Sequence, residues 1–467
     1  MGQRIEINPV TRIEGHAKVT IDLGDDGHVD AACLHVMEFR GFERFVRGMR
    51  VETMPIVTTR ICGTCPHAHH LASAKALDAV YGVTPPPAAR LLRELLNAGS
   101  MIHSHAIHFF ALAGPDLFVG VDAPPERRNL VALLDAAPEL AQAALKLRSL
   151  GQKIAEQVGG RGTHPITCVP GGIASGLDSA AREQLQAMAA QALQLAELAV
   201  DQGRQALERN ESLARSLVLK SYDLGTVNDG RLDCYDGTLV ARTPEGAEAL
   251  RFESAGYADV MVEQALPYSY AKQVSLKLPD GALVPYRVGP LARLNCCDSI
   301  GTERATREWE RYKSMWGTPC HLTVAQHHAR LIELLHHAEK AVQILQDDRI
   351  LSQDLVDRNL GTPRRAVAHV EAPRGVLLHD YDVDSNGIVQ GANLLVATQH
   401  NVSGINATVR DAAEQFVTAP DEQLLNRVEF AIRCWDPCLS CSTHAVGQMP
   451  MEVTMRRRGQ AIRKVVR

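Results

Sequence analysis

Two Cys-x-x-Cys pairs, Cys62/Cys65 and Cys438/Cys441, stand near opposite ends of the chain. If they serve one site, the fold must bring together residues that most of the polypeptide separates. A zinc ribbon spaces its two pairs only about 15–20 residues apart. Convergence over such a distance points instead to a buried metal around which the chain is organised. Four thiolates suit a soft metal. Pro66 follows Cys65 as a favoured first helical residue, and Leu71, Ala74, Leu77 and Val80 follow at helical spacing. Asp436-Pro437 gives the same cap-then-proline signal before the second pair. Each pair is therefore predicted at a helix N-terminus, where the dipole lowers a thiol's pKa. A structural zinc protein is the plainest alternative, separable by metal analysis.

Composition narrows the compartment and the partners. A net charge of -5 over 467 residues gives no basic excess for nucleic acid. No run of about 18 apolar residues suggests a membrane span, and Met1 to Glu6 carry no secretory signal. Eleven cysteines in such a chain imply a reducing, cytoplasmic setting, where cysteine pairs bind metals more often than they form disulfides. The seven outside the pairs follow no ligand spacing and read as buried structural thiols.

Periodicity predicts an α+β fold, predominantly helical: a central long-helix bundle flanked by small β-sheets and hairpins. Residues 1–60 read as β-rich, 61–215 as helical, 216–300 as β-rich or irregular, and 301–444 as helix plus hairpin ending in the second cysteine motif. Helices are predicted near 91–109, 126–158, 178–212 and 303–347. A long hairpin is predicted from Val367 to Asp382 and back from Ile388 to Thr398. Residues 1–444 are expected to form a single unit, followed by residues 445–467; no internal repeat or low-complexity linker interrupts them.

Four motifs carry a resemblance: Arg-x-Cys-Gly-x-Cys-x-x-x-His at Arg60 to His69, Asp-Pro-Cys-x-x-Cys-x-x-His at Asp436 to His444, Arg-Ile-Glu-Gly-His at Arg12 to His16, and Arg-Gly-Phe-Glu at Arg40 to Glu43. With them the chain resembles, nearly end to end, the large catalytic subunit of nickel–iron hydrogenases. The wording around the cysteines is most similar to the cytoplasmic NAD-reducing, bidirectional type.

The resemblance implies a Ni-Fe centre with CO and cyanide ligands on iron. Cys62 and Cys438 would be terminal on nickel, while Cys65 and Cys441 would bridge. Hydrogen would be split heterolytically, with the proton passing to the sulfur of Cys438 and on to Glu14. Glu43, His444 and the backbone carbonyl of Leu394 would bind Mg2+. His69 would hydrogen-bond a bridging cysteine, Arg374 would stand over the open metal position, and the Thr398 hydroxyl would reach a cyanide. One departure is notable: His103-Ser104-His105 places serine where many family members have an acid, leaving Asp436 as the carboxylate available to Arg374.

The resemblance also implies processing and partners. A maturation endopeptidase would cut near His444 after nickel-insertion proteins have loaded the site. The chain lacks further clustered cysteines and any Gly-x-Gly-x-x-Gly fingerprint. Electrons from H2 would therefore leave through an iron–sulfur small subunit to flavin/NAD-binding diaphorase subunits. A deazaflavin-reducing hydrogenase is the alternative within the family. A non-catalytic subunit of the related quinone-reducing respiratory complex is the alternative outside it, and that relative lacks the two cysteine pairs.

Overall fold

The computed structural model describes residues 4–443, and as backbone alone Glu452–Arg457 and Gln460–Val466. An N-terminal antiparallel meander comes first, from β1 (Arg4–Ile7), β2 (Ala17–Leu23) and β3 (Val29–Val36). Val19 pairs with Ile7 on one side and Leu34 on the other, so alternate apolar residues share its buried face.

Four long helices follow. α1 (Pro66–Tyr81) opens with proline and closes at Gly82, whose φ of 64° takes the left-handed cap. α2 (Pro87–Ile107) starts after a proline run and α3 (Pro138–Gly159) ends at left-handed Gly160. α4 (Ser179–Arg209) is capped by Asp178, whose carboxylate accepts from the Ala181 N–H at 2.7 Å. α2 and α3 cross at Gly99 and Gly151. A Cβ on Gly151 would stand 2.6 Å from the His103 nitrogen, so only glycine permits this approach.

The middle is built of short strands. β4 (Tyr222–Asn228), β5 (Thr238–Arg242) and β6 (Glu248–Phe252) run antiparallel, β7 (Met261–Gln264) pairs with β8 (Gln273–Lys277), and β9 (Tyr286–Arg287) joins β4 in parallel. Helix returns as α5 (Pro290–Cys296), α6 (Glu303–Trp316) and α7 (Gln326–Gln346). The single helix predicted over 303–347 is thus two, because Gly317 at φ 85° and Pro319 break it. α7 packs between α2 and α4.

A second meander, β10 (Ala366–Ala372), β11 (Gly375–Val383) and β12 (Val389–Leu395), lies against α1. The hairpin predicted from Val367 hides an additional reversal. Ala372 pairs with Gly375, so Pro373 and Arg374 form a two-residue turn. Gly375, at φ 132°, backs onto Val288, whose Cγ2 a Cβ would approach to 2.2 Å. α8 (Val402–Phe416) and α9 (Asp421–Cys434) complete the core, and β13 (Glu452–Arg457) pairs with β14 (Gln460–Val466). The architecture is the helical, small-sheet α+β fold expected from the sequence. Among the described residues, no helix is long and apolar enough to cross a membrane.

A buried ionic knot fixes the Pro373-Arg374 turn. Arg293 on α5 is held in a fork by Glu333 of α7, with both nitrogens at 2.6 Å, and meets Glu371 of β10 at 2.7 Å. It also donates to the Ala372 and Pro373 carbonyls at 3.0 and 3.2 Å. Burial alone would raise the Glu333 pKa, but the Arg293 charge and hydrogen bonds, with His105 at 3.1 Å, hold it down to about 2. Removing Arg293 strands two buried carboxylates, so Arg293→Leu should cost about 3–5 kcal/mol, read by denaturant unfolding. Because the Glu333 pKa is depressed on folding, its stabilisation is complete above roughly pH 4.5 and fades as pH falls toward about 2. Unfolding free energies of wild type and Glu333→Gln should therefore converge on acidification.

Candidate metal centre

The four cysteine sulfurs meet in the interior, all within 4.8 Å of one another. Cys62 lies 3.3 Å from Cys438, Cys65 3.2 Å from Cys441, and Cys438 3.0 Å from Cys441. None is in a disulfide. A metal with bonds of about 2.3 Å spaces tetrahedral sulfurs about 3.8 Å apart, so the cluster has the span of a thiolate metal site. Cys65 caps α1, whereas Cys438 caps only the four-residue turn Leu439–Ser442. Asp436 caps nothing: it takes a left-handed φ of 50° and turns its side chain to Arg374.

Protonation follows crowding more than helix ends. Hydrogen bonds from Cys438, Cys441 and Cys65 pull the Cys62 pKa well down, and burial pushes those of Cys438 and Cys441 well up. The dipole argument predicted lowering throughout; it is overridden because four buried thiols this close cannot all ionise unaided. A bound cation would supply the missing positive charge.

The N-terminal motif is stitched to the second pair. Glu14 forms a parallel bridge with Cys438, and its carbonyl accepts from the Leu439 N–H at 3.1 Å. Gly15, at φ 83°, lies against Leu439, whose Cβ a side chain would approach to 2.8 Å. The Glu14 carboxylate accepts from the Ser440 hydroxyl at 2.5 Å and the Ser440 N–H at 3.1 Å. Burial raises its pKa, with the Cys62 charge adding to the rise, and the Ser440 hydrogen bonds offset only part.

A cavity of about 10 Å³ adjoins Cys65, Cys438 and Cys441. Ala372, Pro373, Leu377, Val396 and Ala397 give it apolar walls, and Arg374 and Thr398 bring polar ends. A closed structural zinc site has no need of such a recess. Thr398 accepts from the Cys438 N–H at 2.9 Å, which leaves its own hydroxyl hydrogen to donate. Arg374 donates to the Asp436 carbonyl and carboxylate, both at 2.8 Å, and reaches the Ser104 hydroxyl at 3.5 Å. These residues fit a metal centre carrying small non-protein ligands.

His69 approaches the Cys441 sulfur with Nε2 at 3.5 Å. Its Nδ1 is 3.2 Å from His379, which meets the Tyr381 hydroxyl at 2.8 Å, and Ser73 closes the series at 3.0 Å. Burial pushes the His69 pKa down to about 4 and keeps the ring neutral. Glu43 and the Leu394 carbonyl converge on the Arg40 guanidinium, at 2.8 and 3.5 Å, and Arg40 also donates to the Cys441 carbonyl at 2.9 Å. His444 lies outside the described residues.

Sequence reasoning passed over Arg40, His379, Ser440 and the Arg293 knot. Ser440 had a signal, standing inside the second cysteine pair and so beside whatever that pair faces. His379 had none, because it sits in a strand buried on both faces.

Residues 40–126 and 235–444 match the nickel-dependent hydrogenase family, and residues 4–39 match a HoxL-like profile. The chain belongs to the nickel-dependent hydrogenases, as a catalytic large subunit. It is 43% identical over 415 residues to a chain of the vhu F420-non-reducing hydrogenase of Methanocaldococcus jannaschii, covering 88% of this chain and 99% of the relative. It is 37% identical to NAD-reducing hydrogenase HoxS subunit beta of Cupriavidus necator, covering 97% of each. The crystal structure of an NAD+-reducing [NiFe]-hydrogenase in the H2-reduced state superposes with a TM-score of 0.90 at 40% identity, over 95% of this chain and 99% of that one.

The His69 contact generates a test. His69→Ala should leave the fold intact but lower nickel retention about 10- to 100-fold, measured as nickel per protein after dialysis against a chelator.

Proposed function

We propose that this subunit cleaves and forms H2 reversibly at a Ni-Fe centre bearing CO and cyanide, held by Cys62, Cys65, Cys438 and Cys441. The observation that carries the reading is the set of four buried sulfurs within 4.8 Å beside an apolar recess with Arg374 and Thr398 at its rim. When bound, such a centre supplies heterolytic cleavage of H2, from which protons and electrons leave separately.

The protein's own groups then have distinct tasks. Cys62, Cys65, Cys438 and Cys441 would hold the centre through their sulfurs. The Cys438 sulfur receives the proton and Glu14, whose backbone pairs with Cys438, carries it away. Ser440 orients the Glu14 carboxylate. Arg374 and Thr398 would supply hydrogen-bond donors at the recess, and its apolar walls would exclude water. His69 orients the Cys441 sulfur. Glu43, the Leu394 carbonyl and His444 would hold Mg2+; the Glu43 carboxylate and the Leu394 carbonyl both accept from Arg40, which brings the two oxygens to one place.

Electrons pass through an iron–sulfur small subunit to a flavin/NAD-binding partner in a cytoplasmic hetero-oligomer. The NAD-reducing relatives support that acceptor. The higher identity to an F420-non-reducing hydrogenase favours a second reading, in which the partner delivers electrons to neither NAD nor F420. Reduction of NAD+ by H2 in the purified complex separates the two. A maturation endopeptidase removes the segment after His444, and an intact mass of the holoprotein retaining 445–467 would count against this.

Elemental analysis with infrared spectroscopy tests the centre. Equal nickel and iron, with one CO and two cyanide bands, is expected; zinc alone in matured protein overturns the reading. In Glu14→Gln the metals and bands should persist while H2/D2O exchange falls by roughly 10²–10⁴-fold.

A further inference from the structure

Asp436 is shared by two arginines, and only one of them touches the metal recess. Arg374 uses Oδ1 at 2.8 Å, whereas Oδ2 faces Arg330 of α7, whose Nε is 3.8 Å away. Neither Oδ2 nor that Nε has a hydrogen-bond partner among the described residues. The other Arg330 nitrogens make only long contacts, with the Gln326 and Cys434 carbonyls and His327 Nδ1, all at 3.4 Å. A fully buried guanidinium held so loosely by neutral groups has one strong reason to be retained there, the carboxylate in front of it. His108 also comes within 3.8 Å of Asp436, but it is committed to the Arg433 carbonyl at 2.9 Å and burial keeps it neutral.

Among the described residues, Arg374 has no second carboxylate partner, and its Nη1 reaches only the Ser104 hydroxyl, at 3.5 Å. Its aim therefore depends on Asp436, a residue in the left-handed region whose backbone strain the surrounding contacts must hold. Asp436 thus stands between two guanidinium charges, and Glu333 also acts on that of Arg330.

We propose that Arg330 is a positioning residue for H2 activation, which through Asp436 aims Arg374 at the recess and contributes one fixed positive charge to the field at the centre. The inference rests on the Ni-Fe reading of the site. Its test compares Arg330→Met with Arg330→Lys in the matured complex, with nickel and iron content as the check on assembly. The methionine variant should shift the CO and cyanide bands and lower kcat about 10- to 100-fold with little change in KM for H2. The lysine variant, which keeps the charge but not the planar fork, should keep wild-type band positions with an intermediate kcat.

Bands and kcat unchanged in Arg330→Met would overturn the proposal, as would equal activity losses in both variants with unmoved bands, the mark of a merely structural role. If the methionine variant fails to assemble the centre, Arg330→Gln takes its place, and identical bands in the glutamine and lysine variants would overturn the proposal equally. Absence of the bands from the wild type would instead sink the Ni-Fe reading.

Discussion

Four sulfurs packed within 4.8 Å of one another inside a protein, with Cys438 3.0 Å from Cys441, form an arrangement that cannot be relaxed by ionisation alone. Each thiolate formed raises the cost of the next, and burial removes the water that would otherwise screen them. Much of the remaining architecture answers that constraint. Cys65 is anchored at the head of a helix buried on nearly all sides, and Cys438 is anchored by backbone pairing to Glu14. The surrounding basic groups, Arg40 at the Cys441 carbonyl and Arg374 over the recess, bring positive charge to the same place.

The charged interior is layered around that cluster. Arg374 emerges from a two-residue turn whose backbone carbonyls are gripped by Arg293, and Arg293 is gripped by Glu333 and Glu371. Asp436 answers Arg374 from the other side. A side chain with a long flexible stem is thereby given one orientation, since its root and its tip are both fixed. Such preorganisation is what lets a donor act without rearrangement when charge develops nearby.

The parts of this that could be read in the sequence are those written in local code. Spacing alone brought the two cysteine pairs together in expectation, and Pro66 marked the start of α1 correctly. The reversal at Pro373-Arg374 escaped because its flanks are buried throughout, charged residues included, so no exposed break advertised it, although Pro373 and Gly375 were the clues to a tight turn. The helix break at Gly317 was overlooked because the apolar periodicity resumes beyond it. The Arg293 knot was invisible for another reason: its partners come from residues 293, 333 and 371, and only tertiary structure relates them. The helix-dipole argument failed for Cys438 because a four-residue turn has little dipole and the neighbouring thiols matter more.

The seam between Glu14 and Cys438 has a consequence for synthesis. A polypeptide leaves the ribosome N-terminus first, so one side of this seam exists long before the other. The Arg-Ile-Glu-Gly-His segment must wait for this pairing until Cys438 to Ser440 have been made, and that partner segment brings half the sulfurs with it. The sulfur cluster is therefore a clasp, closed only when the second motif meets the first.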